Sequence, residues 1–412
     1  MLNSAIFGSF FSVFMTDTML LPAIACSAIM FAATLWDAVN DPIMGIVADR
    51  TNTRWGCYRP YFLIAPILLT IFSTLCWLNP DFSTTGKIAW VAVFYILNGM
   101  TVTMYTMPAS AIIPACVKDN QTRNAIVSKA AAATAVCFTL ASTFTPKITA
   151  FLENTLHIKN GYVPVMLFCG FLSCISFWGL FATSKEKYLS DNLDRNAFHD
   201  LKTVLKHVEL CPYLIIWVVV SVGYGLMFSS SVYYVIYYLE RPDLVSLYMG
   251  IVSVGALVSM VVLMPVVLKV FKSGQKALAF AATGSVVCYV ILYFFGKSNL
   301  MVLYVMSFIA TSIAAMMNAL VNVLMNDAMD YIQLKEGFSA NGVIASVKGF
   351  AQKCGNTMVS SGILAALGAS GYIAGAVGEQ PESTMLVINF LRFGAPALAA
   401  VILLICLRFN KK

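Results

Sequence analysis

Long apolar runs recur along the whole chain, at residues 23–47, 61–77, 88–117, 125–150, 163–182, 212–238, 244–270, 277–295, 300–325, 342–367 and 387–407. A helix needs roughly 20 apolar residues to cross the hydrocarbon core of a bilayer. Only 11% of residues are charged and 59% are hydrophobic, whereas a soluble domain carries about 25% charged residues. The chain is therefore expected to be an all-α integral membrane protein. A twelfth stretch, residues 5–15, is apolar but too short to cross alone. No basic segment precedes it, so it does not read as a signal peptide. It reads as a first helix lacking its opening turns, from a late start codon or a truncated gene, with a re-entrant or interfacial segment as the alternative.

Where the positive charges fall predicts an orientation. If the loop around Arg50, Arg54 and Arg59 is cytoplasmic, alternate loops, the central connection and the tail collect eighteen Lys and Arg residues. The opposite side receives six: Lys87, Lys147, Lys159, Arg241, Lys297 and Arg392. Both termini are then expected inside a cell membrane, a bacterial inner membrane being the expected compartment. The formal charge of +7 is spread over short loops, which argues against a nucleic-acid partner. Residues 184–209 form the one long polar connection. This predicts a helical lobe over 1–183, a cytoplasmic linker over 184–209 and a second lobe over 210–412, the layout of a two-lobed secondary transporter. Pro42 and Pro265 precede basic loops at equivalent places in the two halves, a faint sign of repetition.

Asp37 and Asp41 are the unusual residues, because both sit inside the apolar run 23–47. At i,i+4 spacing they share one helix face, one turn apart. A carboxylate at membrane depth costs about 2.5 kcal/mol or more, so such groups pair, bind ions or line a polar cavity. Asn40 adds a neutral oxygen. Three hard oxygen donors in five residues suit a small hard cation such as Na⁺ better than a soft metal. Pairing of both acids with basic residues of neighbouring helices is the structural alternative. The eleven cysteines show no C-x-x-C pair or Cys/His cluster, so neither zinc nor a disulfide framework is indicated. There is no Walker loop, no catalytic triad signature, and His157, His199 and His207 lie in or near loops.

The loop Gly45-Ile-Val-Ala-Asp49-Arg50-Thr-Asn-Thr-Arg54 resembles the Gly-x-x-x-Asp-Arg-x-x-Arg signature of the major facilitator superfamily. Trp36-Asp-Ala-Val-Asn-Asp-Pro-Ile-Met-Gly45, continued by Arg54-Trp-Gly-Cys-Tyr-Arg-Pro60, resembles the second-helix signature of the glycoside–pentoside–hexuronide:cation symporters. The similarity continues through Gly99-Met-Thr-Val-Thr-Met-Tyr-Thr-Met-Pro108, Pro114 and Arg123, and returns at Asp327-Ala-Met-Asp330-Tyr331 and Lys353-Cys-Gly355. The resemblance implies a two-lobed bundle of twelve transmembrane helices, working as a monomer by alternating access. It implies a sugar carried with Na⁺, Li⁺ or H⁺, and no other cofactor. The family's cation ligands fall on Asp37, Asn40, Asp41 and Thr103, and its eleventh-helix lysine falls on Lys353. A lysine inside the run 342–367 needs a counter-charge, for which Asp37 or Asp41 is the natural partner; snorkelling to the interface is the alternative. Asp49, Arg50, Arg54, Arg123, Asp327, Asp330 and Tyr331 read as a network closing the cytoplasmic ends of the helices, plain helix-end salt bridges being equally compatible.

The sugar half of the family pattern departs from its melibiose-type members. Their first-helix aspartate falls before Met1 and their fourth-helix aspartate is Thr106. The aromatic four residues on is Ser110, the fifth-helix arginine is Ala131 and a tenth-helix tryptophan is Asn318. Thr106, Ser110, Asn318 and Asn322 are the remaining candidates for holding substrate. Galactoside specificity does not carry over. Weaker, broader recognition of neutral sugars is expected, or use of Lys353 to hold an acidic sugar. A carrier for a lysolipid or another amphiphile, and a non-transporting remnant, are the competing readings. A membrane enzyme is the least favoured, since no nucleophile–base pair can be identified.

Overall fold

Each long apolar run becomes helix. The computed structural model describes residues 1–117, 119–186, 211–271, 273–336 and 341–409. Its helices fall into two units, Met1–Leu193 and Asp194–Lys412. The first unit holds α1 (Leu2–Val13, prolonged by a π turn at Phe14–Thr18), α2 (Ala23–Arg50), α3 (Tyr61–Cys76), α4 (Thr84–Cys116), α5 (Asn120–Asn154) and α6 (Tyr162–Thr183). In the second unit α7 spans Cys211–Tyr233 with a π turn at Tyr234–Tyr238, and α8 spans Val245–Val258, a π turn at Ser259–Leu263 and Met264–Phe271. It continues with α9 (Gly274–Phe295), α10 (Leu300–Glu336), α11 (Asn341–Ala369) and α12, which runs through Glu382–Asn389, a π turn at Phe390–Gly394 and Ala395–Phe409. Among the described residues the only β contact is an isolated bridge between Thr53 and Gly56. The expected linker lies outside the described residues from position 187 onward.

By length and composition, nine of the described helices qualify as membrane crossings. Helix α3 is apolar but only 16 residues long, and α1 and α11 also stand outside that count. The expected twelve crossings are thus shown for nine. The surface fits an apolar solvent: Phe31, Ile71, Phe168, Phe171, Phe280 and Phe294 are all exposed. In lipid such faces carry no penalty, and the helical backbone satisfies its own polar groups. Outside the apolar stretches, side chains mark the helix starts. Ser83 Oγ accepts from Gly86 N at 3.3 Å and opens α4, and Asp119 caps α5, as short polar side chains do at N-termini.

In the first unit α3 lies against α4 and α6, α2 against α4, and α1 against α5. An aromatic core joins these layers. Trp77 stacks on Tyr162 with ring centroids 4.4 Å apart, Phe11 stacks on Tyr95 at 5.3 Å, and Phe7 and Phe14 reach Trp77 from α1. Such pairs add about 0.5–1.5 kcal/mol each beyond the area they bury. Helix α1 is therefore packed into the unit, with Ala5, Ile6, Phe10, Phe11 and Phe14 buried. In the second unit α9 lies against α10, α11 against α7, α10 against α8, and α12 against α7 and α9. Glycines permit the closest approaches: a Cβ at Gly170 would run into Thr70, and one at Gly255 into Thr311. Small residues at helix crossings do this work in membranes, where apolar surface alone gives no drive to associate.

One topology residue is placed differently from the expectation. Arg392, counted with the loop charges, is fully buried inside α12 and drops out of the charge tally. It lies within the apolar run 387–407, where a loop assignment had no support from hydropathy.

Candidate functional site

Helices α2 and α4 run against each other in the first unit, and their polar residues meet in register. Thr103 Oγ1 donates to Asp41 Oδ1 at 2.8 Å. One turn earlier on both helices, Gly99 faces Asp37: a Cβ at Gly99 would stand 2.8 Å from Asp37 Oδ1. Glycine there lets the Asp37 carboxylate, whose Oδ1 is buried, sit against the α4 backbone. Tyr95, one turn before Gly99, is close enough to interact with Asp37 electrostatically. Asn40 is buried, and among the described residues its amide nitrogen has no hydrogen-bond partner. Turning that amide over presents its oxygen in the same place. Pro42, inside α2, has no N–H to give to the carbonyl of Ala38, which lies between the two acids.

Of the expected set Asp37, Asn40, Asp41 and Thr103, the structure brings Thr103 onto Asp41 and sets Asp37 against Gly99, so positions 37/99 and 41/103 pair where the two helices meet. Carboxylate, hydroxyl and carbonyl oxygens are the donors that hard cations prefer. Thr103 holds one Asp41 oxygen in place and leaves its own lone pairs available.

The expected substrate residues bond within their own helices. Thr106 Oγ1 turns back to Thr103 O at 3.5 Å, and Ser110 Oγ, exposed, to Met107 O at 2.8 Å. They continue the Gly99–Thr103 stripe of α4. On α10, Asn318 is half-buried, and Asn322 Nδ2 donates to Asn318 O at 3.0 Å. Lys353 is half-buried on α11, in the second unit. Of the expected end network, Arg54 lies over the Trp55 ring, 4.4 Å from its centroid, and Arg50 is exposed in the last turn of α2. Arg123 Nε donates to Val117 O at 2.6 Å, closing the turn between α4 and α5. The side chains of Asp49, Asp327, Asp330 and Tyr331 lie outside the described residues.

Two residues escaped the sequence reading. Glu186, just past α6, accepts from the backbone N–H groups of Cys57, Tyr58 and Arg59 at 2.7, 2.9 and 3.0 Å. The loop forms this nest beside Gly56, whose φ of +111° is open to glycine alone among ordinary residues. Arg59 in turn donates to Phe181 O at 2.7 Å, so the α2–α3 loop and the end of α6 are tied twice. Nothing in a polar stretch such as Thr183-Ser-Lys-Glu186 singles out one carboxylate as a loop anchor. Arg392 is the second, and an ionisable residue inside an apolar run was the available signal.

Comparison with known proteins follows the same lines. Residues 1–411 match the family described as MFS/sugar transport protein. The uncharacterised symporter YnaJ of Bacillus subtilis (strain 168) is 27% identical over 382 residues, covering 91% of this chain and 81% of that one. The isoprimeverose transporter of Lactiplantibacillus pentosus is 24% identical over 410 residues, covering 97% and 84%. Among solved structures, a bacterial homologue of the human lysosomal transporter Spinster, inward-facing and unoccupied, superposes with a TM-score of 0.70 at 13% identity, over 99% of this chain and 94% of that one. An identity that low speaks for the fold alone. The match over nearly the full length, with a helical membrane fold and the signature on α2, places this chain in the MFS/sugar transport protein family.

Proposed function

We propose that the protein is a sugar:cation symporter of the cell membrane, with both termini facing the cytoplasm, and that Na⁺ is its coupling ion. The observation that carries this reading is the paired register of α2 and α4, which sets Thr103 on Asp41 and Gly99 against Asp37. Two carboxylates one turn apart repel each other, and a cation between them removes that repulsion and draws α2 toward α4. Sugar then binds better to the cation-loaded protein, and linkage requires that sugar strengthen cation binding by the same factor. Inward movement of one positive charge is further driven by the membrane potential, about 2.3 kcal/mol per 100 mV.

For the substrate, relatives named for isoprimeverose, a glucuronide and sulfoquinovose support a glycoside, neutral or acidic. Thr106, Ser110, Asn318 and Asn322 offer only neutral donors and acceptors, each hydrogen bond contributing about 0.5–1.5 kcal/mol net, so recognition is broad and weak. The test is uptake into proteoliposomes of a panel of neutral and acidic glycosides under imposed Na⁺, Li⁺ or H⁺ gradients. Accumulation of at least one sugar driven by the Na⁺ gradient is expected. Transport that is indifferent to every cation gradient, or that is not competed by any free sugar, contradicts the proposal.

A further inference from the structure

The second unit holds a buried positive charge that the transport reading leaves unused. Arg392 is 0% exposed, inside the π turn of α12. Its Nε and Nη2 donate to Tyr248 Oη at 3.2 and 2.8 Å. That hydroxyl accepts twice, so its own proton goes to Ser307 Oγ, 3.0 Å away. Among the described residues Nη1 has no hydrogen-bond partner and no carboxylate pairs with the guanidinium. The rings of Phe393 and Tyr248 lie 4.9 and 5.4 Å from its central carbon. Their faces soften the charge but give Nη1 no acceptor.

What surrounds this charge is rich in donors. Among the described residues, the hydroxyls of Tyr234 at the end of α7 and Tyr289 on α9 are buried without hydrogen-bond partners. The Tyr234 ring packs 4.9 Å from Phe393 and 6.4 Å from Tyr248, the two rings that flank the guanidinium, and Tyr289 is near enough to interact with Arg392 electrostatically. Ser285 Oγ, one turn before Tyr289, is close to it but outside hydrogen-bond geometry, and is partnerless as well. A guanidinium cannot shed its proton in a protein, and a lone buried charge is among the most costly things an apolar interior can hold. A water molecule would satisfy the donors and leave the charge. Arg392, Phe393, Tyr234 and Tyr248 are 0% and Tyr289 1% exposed, so the cluster is closed to bulk solvent.

We propose that Arg392 Nη1, with the hydroxyls of Tyr234 and Tyr289, forms a binding site in the second unit for a small monovalent anion, chloride being the fitting occupant. One proton-free, singly charged sphere answers both the uncompensated charge and the idle donors. Two of the π turns lie at this cluster. Arg392 lies in one π turn and Tyr234 opens another. The extra residue in such a turn re-aims side chains and interrupts the regular hydrogen-bond ladder, as is frequent at functional sites. The site draws on the second unit alone and does not depend on cation coupling through Asp37 and Asp41.

The test is the thermal unfolding midpoint of the purified full-length protein in detergent, as chloride replaces gluconate at fixed Na⁺ and ionic strength. The midpoint should rise saturably with chloride and with bromide. Arg392→Met, close in length and uncharged, should lose that dependence while staying folded in gluconate. The double variant Tyr234→Phe/Tyr289→Phe keeps the rings and removes two donors to an anion. It should need about ten-fold more chloride or beyond for half the effect. A wild-type midpoint identical in chloride and gluconate overturns the site, as does a chloride dependence that persists unchanged in Arg392→Met. If Arg392→Met does not fold, an unchanged half-saturation in the tyrosine double variant overturns it equally.

Discussion

Asp41 is held by Thr103 and Asp37 is fitted against Gly99, so substitutions on α4 should disturb coupling without touching a carboxylate. Thr103→Val keeps the side-chain shape and removes the donor. A hydrogen bond to a charged group is worth about 1.5–3 kcal/mol, so the cation concentration for half-maximal stimulation of uptake should rise about ten-fold or more, with protein yield unchanged. Gly99→Ala places a methyl 2.8 Å from Asp37 Oδ1 and should shift the same curve by displacing the carboxylate. Normal cation dependence in both variants would detach α4 from the site. For the sugar, Thr106→Val and Asn318→Leu should alter affinity or selectivity across a panel of glycosides; unchanged values in both would remove these residues from substrate recognition. The sequence made Asp37, Asn40 and Asp41 legible because charge inside an apolar run is conspicuous. Gly99 entered only through the family resemblance, because a glycine's role is defined by what it faces across a helix crossing. Glu186 was hidden for a similar reason, since backbone N–H groups leave no mark in a sequence.

At the scale of elements, apolar runs made the helices legible, while the polar turns that prolong α5, α10 and α12, the caps and the π turns were not. Asp119 illustrates what terminates one run and starts the next. Hydrogen bonds from Thr122 Oγ1 and N at 2.6 and 2.8 Å, and from Gln121 N at 3.3 Å, stabilise its carboxylate form. The first of these contributes most, and together they hold its pKa below the ordinary carboxylate value. A depressed native pKa means that this cap stabilises fully above the unfolded-state pKa and is lost as pH falls through the native one. Amide exchange at Gln121 and Thr122 should therefore quicken selectively under acid, and Asp119→Asn should weaken that dependence; exchange insensitive to pH beyond its intrinsic rate would contradict the cap. Helix crossings are equally testable. A Cβ at Gly355 would meet Ser221 Cβ at 2.7 Å and Val218 O at 3.1 Å, so α7 and α11 touch nearly backbone to backbone. Gly355→Leu should lower stability by about 1–3 kcal/mol through overpacking, read as a fall in the thermal unfolding midpoint. The family resemblance flagged this glycine, but only the crossing supplies the physical reason for it.

For the whole molecule, the two helical units and the family match make transport the expected work, and the proposed coupling site makes that transport uphill. The most direct measurement is Na⁺-driven sugar accumulation in proteoliposomes by the wild type, Asp37→Cys and Asp41→Cys, with sugar exchange at equal concentrations as the control for folded protein. The account predicts that either substitution abolishes accumulation against a gradient and its Na⁺ stimulation, while exchange of sugar across the membrane persists. Accumulation with normal Na⁺ dependence in either variant would contradict the assignment of the coupling ion to α2 and α4.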